Sequence, residues 1–367
     1  MSTSRTVVVK IGTSSITDAA GEIERAAIHK LCREVAALRS AGHPVVVVTS
    51  GAIAAGLPEV GLGGDRRPTD AITLQAVATV GQSALMTVYR EILAGHDLVA
   101  GQVLLVPHDF IVRSQYVHAG QTLTRLLELG VVPIVNENDA IADDEIRWGD
   151  NDRIAALVAN LVGAARLVLL TDIAGLHTAD PRVDAAASLI EEIVEIDHQT
   201  EQLAGGAGSV RGSGGMASKL TAAKIAAWSG VSTVIADAGR EGCSSTPLPG
   251  SPGSAPWCMP ARGACRRKLW IAFAVIARGV VVVDDGARAA LGRGTSLLAA
   301  GVREVRGEFD AGDPVEIVDG DGIPFAKGLA RHSSGELRSA AGHRSADLPP
   351  GAPHVVVHAD DLVTLPR

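Results

Sequence analysis

The residues able to do chemistry sit where apolar stretches stop. Val131 to Val135 reads as a buried strand and runs into Asn136, Glu137, Asn138 and Asp139; Gly149, Asp150, Asn151 and Asp152 follow. An apolar strand emptying into carboxylates and amides is what an open α/β sheet offers a ligand at the carboxyl ends of its strands. Asn and Asp together hold an ammonium group, a carboxylate and, through water, a metal ion. The plain alternative is an acidic loop of turn residues. Lys10 interrupts a second strand, Thr6 to Ile11, just before Gly12, Thr13, Ser14 and Ser15. Glycine and small hydroxyl residues after a strand expose backbone N–H groups to a phosphate, and a lysine there adds charge to its oxygens. The spacing is not that of the GxxxxGK[ST] loop, and an ordinary turn remains the alternative.

Two further stretches share this design. Pro44 to Val48 is apolar and leads into Thr49, Ser50, Gly51 and Ala52, then Ile53 to Gly56. Small residues let ligand and backbone approach closely. Ser50 can hydrogen-bond a substrate carboxylate with the Gly51 and Ala52 amides behind it; a small-residue helix start without a ligand is the alternative. Gly205 to Gly215 is glycine-rich and ends as RGSGGMASK before a helix from Lys219 to Trp228. Glycines ahead of a helix, closed by a lysine, make a second phosphate-binding candidate. A flexible linker is the alternative, although it would not normally lead straight into a helix carrying Lys219 and Lys224.

A layered α/β domain must position these groups. Helical spacing covers Glu24 to Ala41, with Ile28, Leu31, Val35 and Leu38 on one face and Gly42 as the stop. Thr69 to Ala94 reads as a helix with Gln75, Gln82 and Ser83 on one side. Gly101 to Val106 is a strand, and Ser114 to Leu129 and Ile154 to Gly163 are helices. Arg166 to Leu170 is a strand ending in Thr171 and Asp172, Leu189 to Ile196 is a short strand-like piece, and Val231 to Ala236 is the domain's last strand. This alternation implies an open, mainly parallel sheet with helices on both faces. Arg240 to Arg267 turns rich in Pro, Ser, Gly, Cys and Arg and reads as a linker. It holds Cys243, Cys258 and Cys265, whose spacing does not fit a zinc site. From Leu269, strands at Gly279 to Val283, Gly307 to Phe309, Val315 to Val318 and Val355 to His358, with a helical turn at Asp285 to Leu291, suggest a small β-rich domain. The expected division is 1–239, 240–268 and 269–367.

Composition narrows the class. The 367 residues are 47% hydrophobic and 3% aromatic with 41 glycines, which suits packed α/β structure. A net charge of −8 argues against a general nucleic-acid binder. From Leu269 onward, 10 Lys/Arg face 13 Asp/Glu, a poor footprint for phosphate contacts. The N-terminus lacks a signal pattern, no apolar run reaches the roughly 18 residues of a membrane span, and four scattered cysteines fit a reducing cytoplasm.

Lys10 with GTSS, TSGAIAAG, NENDA, GDND, TDIAGLHTADP and GSGGMASK, in this order, resembles the glutamate 5-kinase family. VVDDGARAAL, GTSLLAAGV, GEFDAGDPVEI and KGLARHSSGEL look like the PUA domain that many bacterial members carry. The resemblance implies the amino acid kinase fold and transfer of the γ-phosphoryl group of ATP to the γ-carboxylate of L-glutamate, the committed step of proline biosynthesis. It implies that Lys10 and Lys219 sit on the transferring phosphoryl group and that Ser50, Asp139 and Asn151 hold glutamate, joined by Gly51, Ala52 and Asn136. Asp152 would organise the lysines or the metal. Nucleotide contacts would come from Lys10, Gly12, Thr13, Thr171, Asp172, Ser213, Gly214, Gly215, Met216 and Lys219, with Mg²⁺ carried on the ATP phosphates. Feedback inhibition by proline and a homodimer or homotetramer are also implied, and the loop from Ala140 to Trp148 is where coupling between binding and closure is expected. Acetylglutamate and aspartate kinases share the fold, but TSGAIAAG with NENDA argues against them. A regulatory RNA-binding protein with a dead kinase domain is opposed by intact Lys10, Asp152 and Lys219. Between Arg240 and Ala264 the chain departs from the family pattern, and its composition resembles a GC-rich gene read briefly out of frame.

Overall fold

The computed structural model describes residues 6–18, 22–62, 67–142, 151–172, 175–178, 187–190, 192–193, 215–240, 242, 257–258, 268, 271–272, 277–344, 349, 352 to 365. The chain divides into two compact units, Met1–Gly263 and Ala264–Arg367.

The first unit is built on a sheet. Its strands are β1 (Val7–Ile11), β2 (Val45–Val48), β3 (Ala100–Leu105), β4 (Val132–Glu137), β5 (Arg166–Thr171), β6 (Glu192–Ile193), β7 (Ser232–Asp237) and β8 (Trp257–Cys258). Their order is β3-β4-β2-β1-β5-β7-β8-β6. The first six run parallel, β8 is antiparallel to β7, and β6 is parallel to β8. Every residue of β1 and β2 is buried, as β-branched strands covered on both faces should be. From β1 the sheet grows outward in both directions, which makes its carboxyl end the switch point where such sheets bind ligands.

Helices α1 (Arg25–Ser40), α2 (Ala52–Glu59) and α3 (Ala71–Ala94) are followed by α4 (Pro107–Ile111), α5 (Arg113–Glu128), α6 (Asn151–Leu161) and α7 (Met216–Trp228). Ile28, Leu31, Val35 and Leu38 of α1 join Leu85, Tyr89 and Leu93 of α3 over Val7, Val9, Val45 and Val47 in one core. By length and composition α3 would pass for a membrane span. Here it lies against α1, α2 and β3. It meets α2 through glycines: a Cβ on Gly56 would fall 2.2 Å from the Val77 carbonyl, and one on Gly81 would fall 1.7 Å from that of Ala52. Backbones this close leave no room for a methyl group.

Several boundaries differ from those that periodicity predicts. The apolar repeat of α6 begins at Ile154, but the helix starts at Asn151, with Asp152 in its first turn. Likewise α7 starts at Met216 rather than Lys219. A negative side chain stabilises a helix start, so Asp152 favours the extension of α6 past its apolar stripe. Pro107–Ile111 adds a short helix that periodicity does not reveal. Val231 to Ala236 is not the end of the sheet, because Trp257–Cys258 pairs with β7 beyond it. Most of 240–264, and the loop beyond Ala142 as far as Asp150, lie outside the described residues.

The second unit contains β9 (Gly279–Val283), β10 (Leu297–Leu298), β11 (Val302–Arg306), β12 (Pro314–Val318), β13 (Pro324–Leu329), β14 (Val355–Val357) and β15 (Leu362–Thr364). Five form a mixed sheet in the order β11-β9-β12-β13-β15, and β10 pairs with β14. The strand expected at Gly307 to Phe309 is a turn instead. Gly307 has φ +82°, and Phe309 folds into the core. Its pairing role falls to β11, which runs antiparallel to β9. The Val355–Val357 strand does not close the unit, since β15 follows and pairs with β13. Helix α8 (Asp285–Leu291) is capped by the Asp284 carboxylate accepting from Ala287 N. Helix α9 (Ser334–Ala340) is capped by a Ser333/Glu336 box.

Candidate active site

Strand alternation sends Val7, Val9 and Ile11 into the α1/α3 core and Lys10 to the other face. There Lys10 is 4% exposed, with Nζ 2.5 Å from Asp152 Oδ1. Lys219, 5% exposed in the first turns of α7, places Nζ 3.3 Å from Asp152 Oδ2. The Ser218 hydroxyl donates to the same oxygen at 3.4 Å. Asp152 itself has no solvent exposure. Burying three charges costs several kcal/mol in desolvation, so such a group is weak evidence for stability. With formal charges of two lysines and one carboxylate, it leaves a net positive spot suited to phosphate oxygens.

The residue before Asp152 faces a second cluster. Asn151 Nδ2 donates to Ser50 Oγ at 2.7 Å and to Asn136 Oδ1 at 3.3 Å. Glu137 N donates to Asn136 Oδ1 at 2.9 Å, which fixes that amide's orientation. Asn136 Nδ2 and Asn151 Oδ1 are then buried without hydrogen-bond partners. Unmet buried polar atoms cost about 1–3 kcal/mol each, so this pair marks a place for a ligand with one acceptor and one donor. Ser50 ends at Gly51, whose φ of +95° and tight approach to Ile16 exclude a side chain. Gly51 caps α2, and Ala52 is the first residue of that helix. Asp139 is half-buried, and burial pushes its carboxyl up to about 6.

Thr171 is buried at the end of β5 and donates to Asp172 Oδ1 at 3.1 Å. The pairing of Ile11 with Leu170 puts Gly12 level with Thr171. Gly12 caps a single 3₁₀ turn whose first residue is the exposed Thr13. Gly215 caps α7 and Met216 opens it, while Ser213 and Gly214 lie outside the described residues. The first turn of α6 thus holds the two clusters together, Asn151 touching one and Asp152 the other.

Metal-binding chemistry fits only in part. Asp152 is the one carboxylate at the lysine cluster among the described residues, and both of its oxygens face cations. No group of three or more His, Cys, Asp or Glu is poised around a metal among the described residues. Mg²⁺ is held through one or two carboxylates plus substrate phosphates, and Asp152 is the carboxylate here that would serve it.

Spacing alone did not single out Ser218, Thr49 or Tyr89. Ser218 lies inside the RGSGGMASK motif. Thr49 and Tyr89 meet behind the sheet, and strand alternation is the only signal that could have turned Thr49 away from Ser50.

The model of the amino acid kinase family matches residues 5–237. The chain belongs to the amino acid kinase family. The PUA domain model matches residues 279–350. Amino acid kinases named glutamate 5-kinase resemble the chain along nearly its whole length. That of Gloeobacter violaceus is 43% identical over 98% of this chain and 99% of its own. That of Nocardia farcinica is 44% identical over 99% and 98%. One from Bifidobacterium longum is 45% identical over 98% and 95%. This amino acid kinase is therefore an enzyme, a phosphotransferase with a C-terminal PUA domain.

Proposed function

We propose that the enzyme transfers the γ-phosphoryl group of ATP to the γ-carboxylate of L-glutamate, giving L-glutamyl 5-phosphate for proline synthesis. The observation that carries this reading is the start of α6, where Asn151 and Asp152 adjoin an amide cluster and a lysine cluster. Asn136 Nδ2 donates to the α-carboxylate of glutamate together with Ser50 and the Gly51 and Ala52 amides. Asn151 Oδ1 and Asp139 accept from its α-ammonium group.

A free Glu side chain ionises near pH 4.3, so the acceptor needs no general base. One γ-carboxylate oxygen attacks the γ-phosphorus in line, the bond to the β–γ bridging oxygen breaks, and ADP leaves with that electron pair. Lys10 and Lys219 hold the phosphoryl oxygens, and Asp152 with Ser218 keeps the two ammonium groups apart and aimed. Mg²⁺, when bound with ATP, would supply neutralisation of charge on the phosphates, and Asp152 is the residue that would hold it. Gly12, Thr13, Thr171, Asp172 and the 213–219 loop line the nucleotide side. Proline competes at the glutamate pocket. The enzyme acts in the cytoplasm as a homodimer or homotetramer, with the unit Met1–Gly263 as the catalytic part and the unit Ala264–Arg367 carrying a regulatory or structural PUA-like domain.

Incubation with Mg-ATP, hydroxylamine and each of glutamate, N-acetylglutamate and aspartate tests this. Hydroxamate from glutamate alone is expected. Hydroxamate from another acceptor, or none from folded protein, would sink the proposal.

A further inference from the structure

Helix α3 reaches the loops of the amide cluster from the far side of the sheet. Gln75, Gln82 and Tyr89 recur every seven residues, so they form one stripe with about two turns between neighbours. Each ends on a strand end or a loop rather than in the ligand space. The Tyr89 side chain is fully buried, and its hydroxyl lies 2.8 Å from Thr49 Oγ1. Thr49 Oγ1 donates to the Ser50 carbonyl at 3.1 Å. With that proton used, Tyr89 is the donor to Thr49. Gln82 Nε2 donates to the Glu137 carbonyl at 3.1 Å, and Gln75 Nε2 to the Ala142 carbonyl at 3.3 Å. The two glutamines bracket the turn that carries Asp139. The tyrosine acts through Thr49 on the carbonyl of Ser50, whose hydroxyl meets Asn151.

We propose that the Gln75–Gln82–Tyr89 stripe is a positioning element for the acceptor amino acid, holding the Ser50 and Asp139 loops in register against Asn151. It touches neither substrate. This rests on the glutamate-kinase reading above, and it assigns α3 to acceptor binding and not to nucleotide binding. A hydrogen-bonded hydroxyl or amide can satisfy itself in many ways inside a core. Three on one stripe, two directed at backbone carbonyls around Asp139 and one at the Thr49 hydroxyl beside Ser50, restrict those segments specifically.

Steady-state hydroxamate kinetics on Tyr89→Phe, Gln82→Met, Thr49→Val and Thr49→Ser, each with its melting temperature, tests the inference. Tyr89→Phe, Gln82→Met and Thr49→Val are expected to raise KM for glutamate by roughly 3- to 10-fold, the size of one lost hydrogen bond. KM for ATP and kcat should stay within about twofold, because binding is lost without transition-state stabilisation. Thr49→Ser keeps the hydroxyl and restores KM. Tyr89→Phe added to Thr49→Val should bring no further rise, since both cut one chain. Lower melting temperatures with KM for glutamate unchanged would mean mere packing and overturn the inference, as would equal losses for both substrates. Should Tyr89→Phe not fold, Gln82→Met and the Thr49 pair decide. A folded parent that makes no hydroxamate overturns the functional reading and this inference with it; an active parent with indifferent variants overturns this inference alone.

Discussion

Two buried carboxylates, one in each unit, are held in opposite ways. Asp319 of the second unit is 3% exposed and is enclosed by its own turn. Its Oδ1 accepts from Asp321 N and Ile323 N at 3.1 and 2.9 Å, and its Oδ2 from Arg288 Nη1 at 2.7 Å. Arg288 also stacks over Phe325. Asp152 of the first unit draws instead on two lysines and a hydroxyl from distant parts of the chain. Next to it, amide atoms are buried and unmet. A carboxylate that serves the fold is satisfied locally by backbone N–H groups. Under the proposed function, Asp152 instead gathers two cations from distant parts of the chain for a phosphoryl group.

The contrast can be broken most directly at the lysines. Lys10→Ala or Lys219→Ala should lower kcat by roughly 10²–10³-fold, as loss of a donor at developing charge does. Circular dichroism of the same variants should stay near that of the parent. If either variant kept parental kcat, Asp152 would be no different in kind from Asp319. The converse substitution, Asp319→Ala, should cost about 2 kcal/mol of stability and leave kinetics unchanged. The Arg288 side chain is 35% exposed and can turn to water, so the loss falls below that for a fully enclosed pair. Denaturant unfolding and the hydroxamate assay, run together, check both halves.

A third test sharpens the contrast through acidity. Burial raises the Asp139 carboxyl from 3.8 to about 6 in the unliganded protein. The folded state therefore holds that proton more tightly than the unfolded chain does. The stability it contributes is complete below the unfolded value and is lost as pH rises through about 6. Binding an ammonium group needs the ionised form, so the sign reverses for glutamate. Affinity should fall about tenfold per unit of pH below 6, and binding at pH 6 should release on the order of half a proton. Calorimetry in buffers of different ionisation enthalpy measures that release. Asp139→Asn should abolish it and raise KM for glutamate by about tenfold. Proton release unchanged in that variant would remove Asp139 from the ammonium contact.

The sheet and the loops at its carboxyl ends were legible because buried parallel strands are nearly unbroken apolar runs that stop abruptly at polar residues, as at Val48–Thr49 and Val135–Asn136. The lysine cluster was legible in part. Lys10 stands out as the single charge in its strand, but nothing between Asp152 and Lys219 along the chain says that they touch. The start of α6 was misplaced because Asn151, Asp152 and Arg153 carry no apolar periodicity, and the helix there is paid for by side-chain contacts across the sheet. The turn at Gly307 was read as a strand because Phe309 is apolar, although its burial comes from the core beneath the turn and not from a ladder.

The seam between α2 and α3 has a consequence for mutational maps. Gly56 and Gly81 let two backbones touch directly behind Ala52. Any larger side chain at either position must lift the α2 N-terminus away from Ser50. In a saturation library scored for growth without proline, both columns should tolerate glycine alone, with a depletion as severe as at Lys10. Someone seeing only the scores would list them among the catalytic residues, yet what they contribute is the absence of two methyl groups.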